Sequence, residues 1–418
     1  MLDSESAQHY RKASLIRRLS SSLRSGNRHG LNNTPSTLQT DVTGDSSNVL
    51  LVSAFFPSPT SKHTQAEYNK SLSQFLSRIT TDVYIFTTLD FEAQIKEIRG
   101  DLPIWIDTTF QSPLEIPPLA EFQDQYHNMR KNHGSVPTGS PHVYAMRTAK
   151  VYFLKQGLYE LQGQSFPADK KYKYAFWIDF DSFPVGHTFK NWPDPFRVEK
   201  VWNDGSQLTG LAEENLIFIP LKGLPNLSMA MWWEDMGPID NQFSQSTCFG
   251  GMTNAIDWLY EAYFAYHNHW LQRGKFVGKD ESVFNAIIML HPSRILGLWL
   301  FDPIASKALA ILSSLQFSSY SPQEPPPKEM LSTPLGECHD HNMYHIFFFG
   351  GDKERNEMTL SWLNRWRWMW PWEWIRQVSI KKEPCSLTQV LPMQPTLSNR
   401  AFNGNWLPPS SNIYPEEQ

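Results

Sequence analysis

Two aspartates, Asp179 and Asp181, directly follow the apolar run Tyr174–Ile178. Carboxylates two positions apart, where a buried strand leaves a parallel sheet, can face the crevice in which such sheets bind ligands. Their oxygens suit Mg²⁺ or Mn²⁺, which proteins hold with one or two carboxylates plus substrate phosphates. We therefore predict a divalent metal here, neutralising a diphosphate leaving group. The alternative is an aspartate that caps the following turn.

A second acidic pair, Asp280 and Glu281, opens an apolar helix that runs to Leu290. The helix dipole favours ionised carboxylates in a first turn. An ionised carboxylate can accept a proton from a hydroxyl group, which is what a general base does. One of the two is our candidate base, and ordinary helix capping is the alternative.

Two basic residues and a glycine pair are further candidates for the ligand site. Arg99 and Lys150 are natural partners for a diphosphate, although each taken alone also fits a surface charge. Gly250 and Gly251 would let the backbone approach a sugar closely, or would merely turn the chain.

The elements that must position these residues alternate along the chain. Apolar runs predict strands at 49–56, 82–87, 103–107, 174–178 and 215–220, and a further strand at 346–349. Amphipathic stretches predict helices at 68–79, 91–98, 144–161, 254–273 and 280–290. This alternation is typical of an α/β protein with a doubly wound, mostly parallel sheet.

The order of these pieces resembles the HtrL/YibB-type, nucleotide-diphospho-sugar transferase-like proteins, among them related fungal chains. The resemblance covers about residues 49–292 and rests on the order of its pieces, which are Val52–Phe56, Phe86-Thr87, Arg99, Tyr144 to Lys150, Trp177–Asp179, Phe249–Gly251 and Lys279–Glu281. It implies a GT-A fold, a UDP- or GDP-sugar donor, Mn²⁺ or Mg²⁺, and a glycan, lipid or protein acceptor.

The resemblance also implies roles for single residues. Ser53 and Ala54 would lie near the nucleoside, Arg99 and Lys150 near the diphosphate, and Asp179 on the metal. Asp181 fits the general GT-A pattern rather than the family pattern. The predicted nucleotide-sugar contacts are completed by Trp177, Gly250 and Gly251.

The region after residue 300 is less regular. Many GT-A enzymes supply a late histidine to the metal; His339, His341 and His345 qualify, and we take His345, with turn or core histidines as the alternative. A Trp-rich extension at 339–380 would pack on the core 49–300, stack on sugars or anchor at a membrane. Within a catalytic domain spanning 48–380, we expect flexible tails at 1–47 and 381–418.

Composition narrows the class of protein. The 418 residues carry a formal net charge of −5 without an internal basic block, which argues against nucleic-acid binding. Three distant cysteines form neither a disulfide framework nor a CxxC site. No signal peptide or long apolar run is evident, so we expect a cytoplasmic or peripheral membrane protein, with membrane contact through the basic N-terminal or the Trp-rich segment.

Two other functions compete. The run Phe176–Ser182 also fits the first motif of a HAD-type phosphatase, in which Asp179 would attack phosphorus and Asp181 would act as acid. That motif belongs on the first strand of its domain, whereas three strand–helix units precede it here. The second alternative is a non-catalytic protein that kept the fold and binds a nucleotide sugar or glycan.

Overall fold

The first five strands form where apolar runs predict them. The structure, a computed structural model, describes residues 48–58, 64–132, 140–163, 172–183, 186–241, 243–299, 344–367, 389–402 and 404–415. Its strands are β1 (Val49–Phe55), β2 (Asp82–Thr87), β3 (Ile104–Asp107), β4 (Tyr174–Ile178), β5 (Ile217–Leu221), β6 (Cys248–Met252), β7 (Ile295–Trp299) and β8 (Leu391–Pro392). Every residue of β1, β2, β4, β5 and β7 is buried, as two-sided coverage by helices requires.

These strands make one eight-stranded sheet in the order β3-β2-β1-β4-β6-β5-β7-β8. Strands β3, β2, β1 and β4 pair in parallel, and so do β5 and β7, whereas β6 runs antiparallel to both β4 and β5. Strand β8 pairs antiparallel with β7. The carboxyl ends of β1 to β5 therefore meet at one edge of the sheet, which we call the C-terminal edge.

Helices cover the sheet. They are α1 (Gln65–Leu76), α2 (Leu89–Arg99), α3 (Pro117–Ala120), α4 (Gln123–Asn132), α5 (Pro141–Gly163), α6 (Pro195–Thr209), α7 (Thr253–Gln272), α8 (Asp280–Leu290), α9 (Tyr344–Phe349), α10 (Asp352–Arg367) and α11 (Met393–Thr396). Local sequence sets several of their ends. Helix α1 begins with a capping box between Thr64 and Glu67, and α6 begins after Asp194 and ends at Gly210 in the left-handed conformation.

The predicted α/β class with a mostly parallel sheet is confirmed. Two local predictions are wrong. Residues 346–349 belong to helix α9 rather than to a strand, because the buried aromatic run 347–349 packs as one turn against α6 and the sheet. Residues 249–251 lie inside β6 rather than in a turn.

The C-terminal segment also differs from the expected tail. Leu391 pairs with β7, and Trp406 is buried. Ser411, Asn412 and Ile413 donate hydrogen bonds to the carboxylate of Glu234. The Pro/Asn/Ser-rich composition of this segment predicts a solvated tail, whereas these contacts hold it against the rest of the protein.

Several predictions fall on residues that the structure does not describe. They concern the N-terminal tail at 1–47, His339 and His341, and the tryptophans from Trp368 to Trp374. Within the described ranges, no helix combines the length and the hydropathy that crossing a bilayer demands.

Candidate functional site

The acid pair lies at the C-terminal edge, directly after β4. The backbone amide of Asp179 donates to the carbonyl of Thr247 (2.9 Å), and its carbonyl accepts from the amide of Ser182 (2.9 Å), which turns the chain. The side chain is held from two sides. Trp177 Nε1 donates to Oδ1 (2.7 Å) and Lys150 Nζ donates to Oδ2 (3.0 Å). Asp179 therefore has a fixed orientation.

Lys150 also reaches the second acidic pair. Its Nζ lies 3.2 Å from Oδ2 of Asp280 and 3.3 Å from the carbonyl oxygen of Ser246. Helix α5 supplies the ammonium, the end of β4 supplies Asp179, and the first residue of α8 supplies Asp280. We call Asp179, Lys150 and Asp280 the carboxylate–lysine triad.

Burial and neighbouring charges act in opposite directions on the pKa values of Lys150 and Asp179. Burial lowers the pKa of Lys150, but the two carboxylates outweigh it and raise that pKa above its ordinary value. Burial raises the pKa of Asp179 to about 6, with Lys150 lowering it and Asp181 raising it. At neutral pH Lys150 is therefore protonated and Asp179 is ionised.

Asp181 differs from Asp179 because its side chain is exposed. Oxygen ligands and exposure suit an Mg²⁺ or Mn²⁺ ion that arrives with a diphosphate, since such ions keep substrate phosphates among their ligands. Among the described residues, no three His, Cys, Asp or Glu side chains come together as a preformed metal site. The residues thus fit an ion shared with a ligand phosphate, for which Asp181 is the more open of the two carboxylates, and the role of Asp179 on the metal stays a prediction.

The two residues of the second pair have different surroundings. The Asp280 side chain is buried (5% exposed) behind Lys150, whereas that of Glu281 is 31% exposed and lies 2.8 Å from Lys222 Nζ. Lys222 directly follows β5, so Glu281 also faces the C-terminal edge. Of these two carboxylates, only that of Glu281 can be reached by a hydroxyl group from solvent.

His345 does not join the acid pair. It lies in the buried helix α9, whose carbonyls accept hydrogen bonds from Trp192 (2.7 Å), Arg197 (3.1 Å) and the amide of Asp194 (2.9 Å). Burial lowers the pKa of His345 to about 4. The prediction of a metal ligand at this position is wrong for the arrangement seen, because the helix packs the imidazole into the core.

Arg99 lies at the opposite edge of the sheet. It is the last residue of α2, and its guanidinium donates to the carbonyls of Leu76 (2.8 Å), Ile79 (2.6 Å), Thr81 (2.7 Å) and Pro103 (2.8 and 3.0 Å). These carbonyls belong to the chain that enters β2 and β3. The predicted diphosphate contact is therefore wrong, because every guanidinium nitrogen is committed to backbone oxygens.

The glycine pair has a packing role instead of a sugar contact. A Cβ at Gly250 would overlap the carbonyl oxygen of Ala175, and one at Gly251 would lie 2.9 Å from the carbonyl oxygen of Leu216. Strand β6 lies between β4 and β5, and these glycines let it approach both.

Three further predicted contacts are core positions. The side chains of Ser53 and Ala54 are fully buried within β1, which closes them to a nucleoside in this arrangement. Trp177 is also fully buried, and its indole serves Asp179 rather than a ligand.

Some contributors to the site carry no local signal. Ser246 lies in the loop before β6 and becomes a neighbour of Lys150 only through the tertiary fold. Lys222 could have been found by the rule that singles out Asp179, because it is the first residue after a fully buried strand.

Comparison of the sequence with known protein families and with curated proteins gives no match. Comparison with solved structures gives likenesses to glycosyltransferases. Mouse xyloside xylosyltransferase 1, in its apo form, is 12% identical over 60% of this chain and 83% of its own, with a TM-score of 0.32. Core-mannan synthase A (CmsA/Ktr4) from Aspergillus fumigatus, in its Mn/GDP form, is 15% identical over 66% and 80%, with a TM-score of 0.33.

The mannosyltransferase Ktr4p from S. cerevisiae is 15% identical over 57% of this chain and 65% of its own, with a TM-score of 0.32. These likenesses concern part of the fold. The activity of this chain has to be inferred from the geometry of its own site.

Proposed function

We propose that this protein is a metal-dependent glycosyltransferase that moves a sugar from a nucleotide-diphosphate donor to an acceptor hydroxyl. The observation that carries the proposal is the carboxylate–lysine triad beside the exposed Asp181, at the C-terminal edge of a mostly parallel sheet. This edge is where open α/β sheets bind their ligands.

Within this proposal, Asp179 is the member of the triad that contacts the transferred sugar. Its carboxylate presents acceptor oxygens, which recognise sugar hydroxyls, and the buried Lys150 and Asp280 support it. Their mutual ion pairs hold these groups in one orientation before the donor arrives. Such preorganisation lowers the entropy cost of placing the anomeric carbon.

Asp181 and the donor diphosphate would hold the divalent ion. When bound, Mn²⁺ or Mg²⁺ would supply charge neutralisation for the departing diphosphate. The exposed Asp181 carboxylate can join such an ion without breaking the contacts of Asp179 with Trp177 and Lys150.

Glu281 is our choice for the general base. Its carboxylate is partly exposed, and its ion pair with Lys222 at 2.8 Å holds it at the C-terminal edge. Asp280 is a positioning residue instead, because its side chain lies behind Lys150 and away from solvent.

The phosphatase alternative is less well supported. The first motif of such a phosphatase belongs on the first strand of its domain. Asp179 instead follows β4, the fourth strand along the chain. The triad would serve equally well in a binding protein that lacks transferase activity. An assay of turnover separates that alternative from an enzyme.

The deciding experiment is a thermal-shift screen of the full chain against UDP- and GDP-sugars, with and without Mn²⁺, followed by donor hydrolysis with the sugars that bind. We expect metal-dependent stabilisation and release of UDP or GDP. Stabilisation by Mg²⁺ with BeF₃⁻ instead would favour the phosphatase. Binding without hydrolysis or transfer would favour the binding protein.

A further inference from the structure

The loop between β5 and β6 exposes a cluster of large apolar side chains. Leu227 is 47% exposed, Met231 78%, Trp233 55% and Met236 47%, all within ten consecutive residues. We call residues 227–236 the apolar segment. Placing such side chains in water costs about 25 cal/mol for each Å² of apolar surface, so a concentrated patch marks a surface with a partner.

The exposure is enforced by anchors that alternate with the exposed residues. Trp232 is buried between Met231 and Trp233, and its Nε1 donates to the carbonyl of Gly237 (3.1 Å). Glu234 is buried next along the chain, and its backbone carbonyl accepts from Trp270 Nε1 (3.0 Å).

The C-terminal chain adds a second anchor. The Glu234 carboxylate accepts from Ser411 Oγ (2.5 Å) and from the amides of Asn412 (3.0 Å) and Ile413 (3.3 Å). Tyr266 on α7 donates to Ser411 Oγ (2.7 Å). The apolar segment is therefore held in place with its large side chains outward, rather than exposed by a loose chain.

The segment belongs to the C-terminal edge of the sheet. Its loop leaves β5 at Leu221 and returns through Ser244 and Ser246, and Ser246 contacts Lys150 of the triad. A surface bound by the apolar segment would thus lie at the C-terminal edge of the sheet, as Asp179 does.

Charges of both signs surround the segment. Arg273 pairs with Asp235 (2.9 Å) and Lys279 pairs with Asp240 (2.8 Å), while the exposed Lys275 lies along Gly237. An apolar centre with a rim of nearly balanced charge matches a zwitterionic lipid interface, whose headgroups carry both a phosphate and an ammonium. Tryptophan is enriched at this depth of a bilayer because its ring is apolar and its N–H is polar.

We propose that the apolar segment docks on the interface of a zwitterionic lipid bilayer, which has no net charge. Met231 and Trp233 enter the boundary between headgroups and acyl chains, and the basic residues of 273–279 contact the lipid phosphates. This surface is distinct from the N-terminal and Trp-rich segments in which the sequence predicts membrane contact.

The test is co-sedimentation of the full chain with phosphatidylcholine vesicles. These vesicles carry no net charge, so they attract a basic tail only weakly. The Met231→Ser/Trp233→Ser variant should bind about tenfold less tightly or worse, since it loses the two apolar side chains that enter the bilayer. The matched control is Phe196→Ser/Leu208→Ser, which removes exposed side chains from α6 and should bind as the parent does. Because all four side chains are exposed, both variants should keep the parent melting temperature.

Equal binding of the parent and the Met231/Trp233 variant would overturn the proposal, as would a parent that does not sediment. A parent that forms dimers, with the variant monomeric and neither bound to vesicles, would assign the segment to a second copy of the chain and overturn it equally. None of these readouts depends on transferase activity, so a failure here is separate from a failure of the proposed function.

Discussion

The ammonium of Lys150 lies 3.2 Å from the carboxylate of Asp280, although one residue is in the middle of α5 and the other opens α8. The same ammonium lies 3.0 Å from Asp179. One buried cation thus joins the two acidic pairs into a single site.

Replacing Lys150 should destabilise the fold strongly. Lys150→Met leaves two carboxylates close together in a buried site without their cation, which costs about 3–5 kcal/mol. Urea unfolding followed by circular dichroism measures this. The matched control is Lys200→Met on the surface of α6, where the pair with Asp204 (2.9 Å) is exposed and should contribute about 0–1 kcal/mol. Equal losses in the two variants would show that the triad is not an ion-paired cluster.

The two aspartates after β4 should separate metal binding from stability. Asp181→Asn should abolish the Mn²⁺-dependent part of nucleotide binding while the melting temperature stays within a few degrees, because its side chain is exposed. Asp179→Asn should lower stability as well, since the ion pair with Lys150 is lost. Calorimetric titration with UDP or GDP, with and without Mn²⁺, checks both. Unchanged Mn²⁺ dependence in Asp181→Asn would remove this residue from the metal site.

Glu281 and Asp280 should respond differently to amide substitution. Glu281→Gln should lower turnover by about 10²–10⁴-fold with little change in donor affinity, the usual effect of removing a general base. Asp280→Asn should instead weaken donor binding and stability, because it disturbs Lys150. Steady-state kinetics with the identified donor separates the two. Full turnover in Glu281→Gln would leave the reaction without this base.

Arg99 should affect stability alone. Arg99→Met removes the donors for four backbone carbonyls at the entrance to β2 and β3, which should cost about 3 kcal/mol or more. At temperatures where the variant is folded, its nucleotide affinity should equal that of the parent. A selective loss of affinity in folded protein would restore the diphosphate role predicted from the sequence.

Stability should fall as the pH is lowered from 6.5 toward 4. Burial lowers the pKa of His187, His267 and His345 from 6.5 to about 4. The unfolded chain therefore binds protons that the folded protein does not bind. This difference lowers the free energy of unfolding by about 3 kcal/mol for each histidine near pH 4 and leaves it unchanged above pH 6.5. Asp179, with its raised pKa of about 6, acts in the opposite direction below pH 6 and offsets part of this loss.

Urea midpoints between pH 7.5 and 4.5 measure the slope. His267→Gln should flatten it, whereas His127→Gln, at an exposed position on α4, should leave it unchanged. A His267 variant with the parent slope would mean that this imidazole takes up its proton in the folded state.

The sequence by itself determined strands β1 to β5 and the position of the acid pair. Continuous apolar runs such as Val49–Phe55 and Tyr174–Ile178 can be satisfied only by burial on both faces, so a local pattern was enough to predict them. Asp179 then had to lie at a C-terminal strand end, because it is the next residue along the chain.

Only the tertiary structure decided which side chains meet there. Arg99 and Lys150 are equally plausible anion ligands in the sequence, yet one ends α2 at the far edge of the sheet and the other faces Asp179. Their surroundings depend on how helices pack across the sheet, and no propensity of neighbouring residues encodes that. The same holds for Gly250, whose missing side chain matters because β4 lies against it.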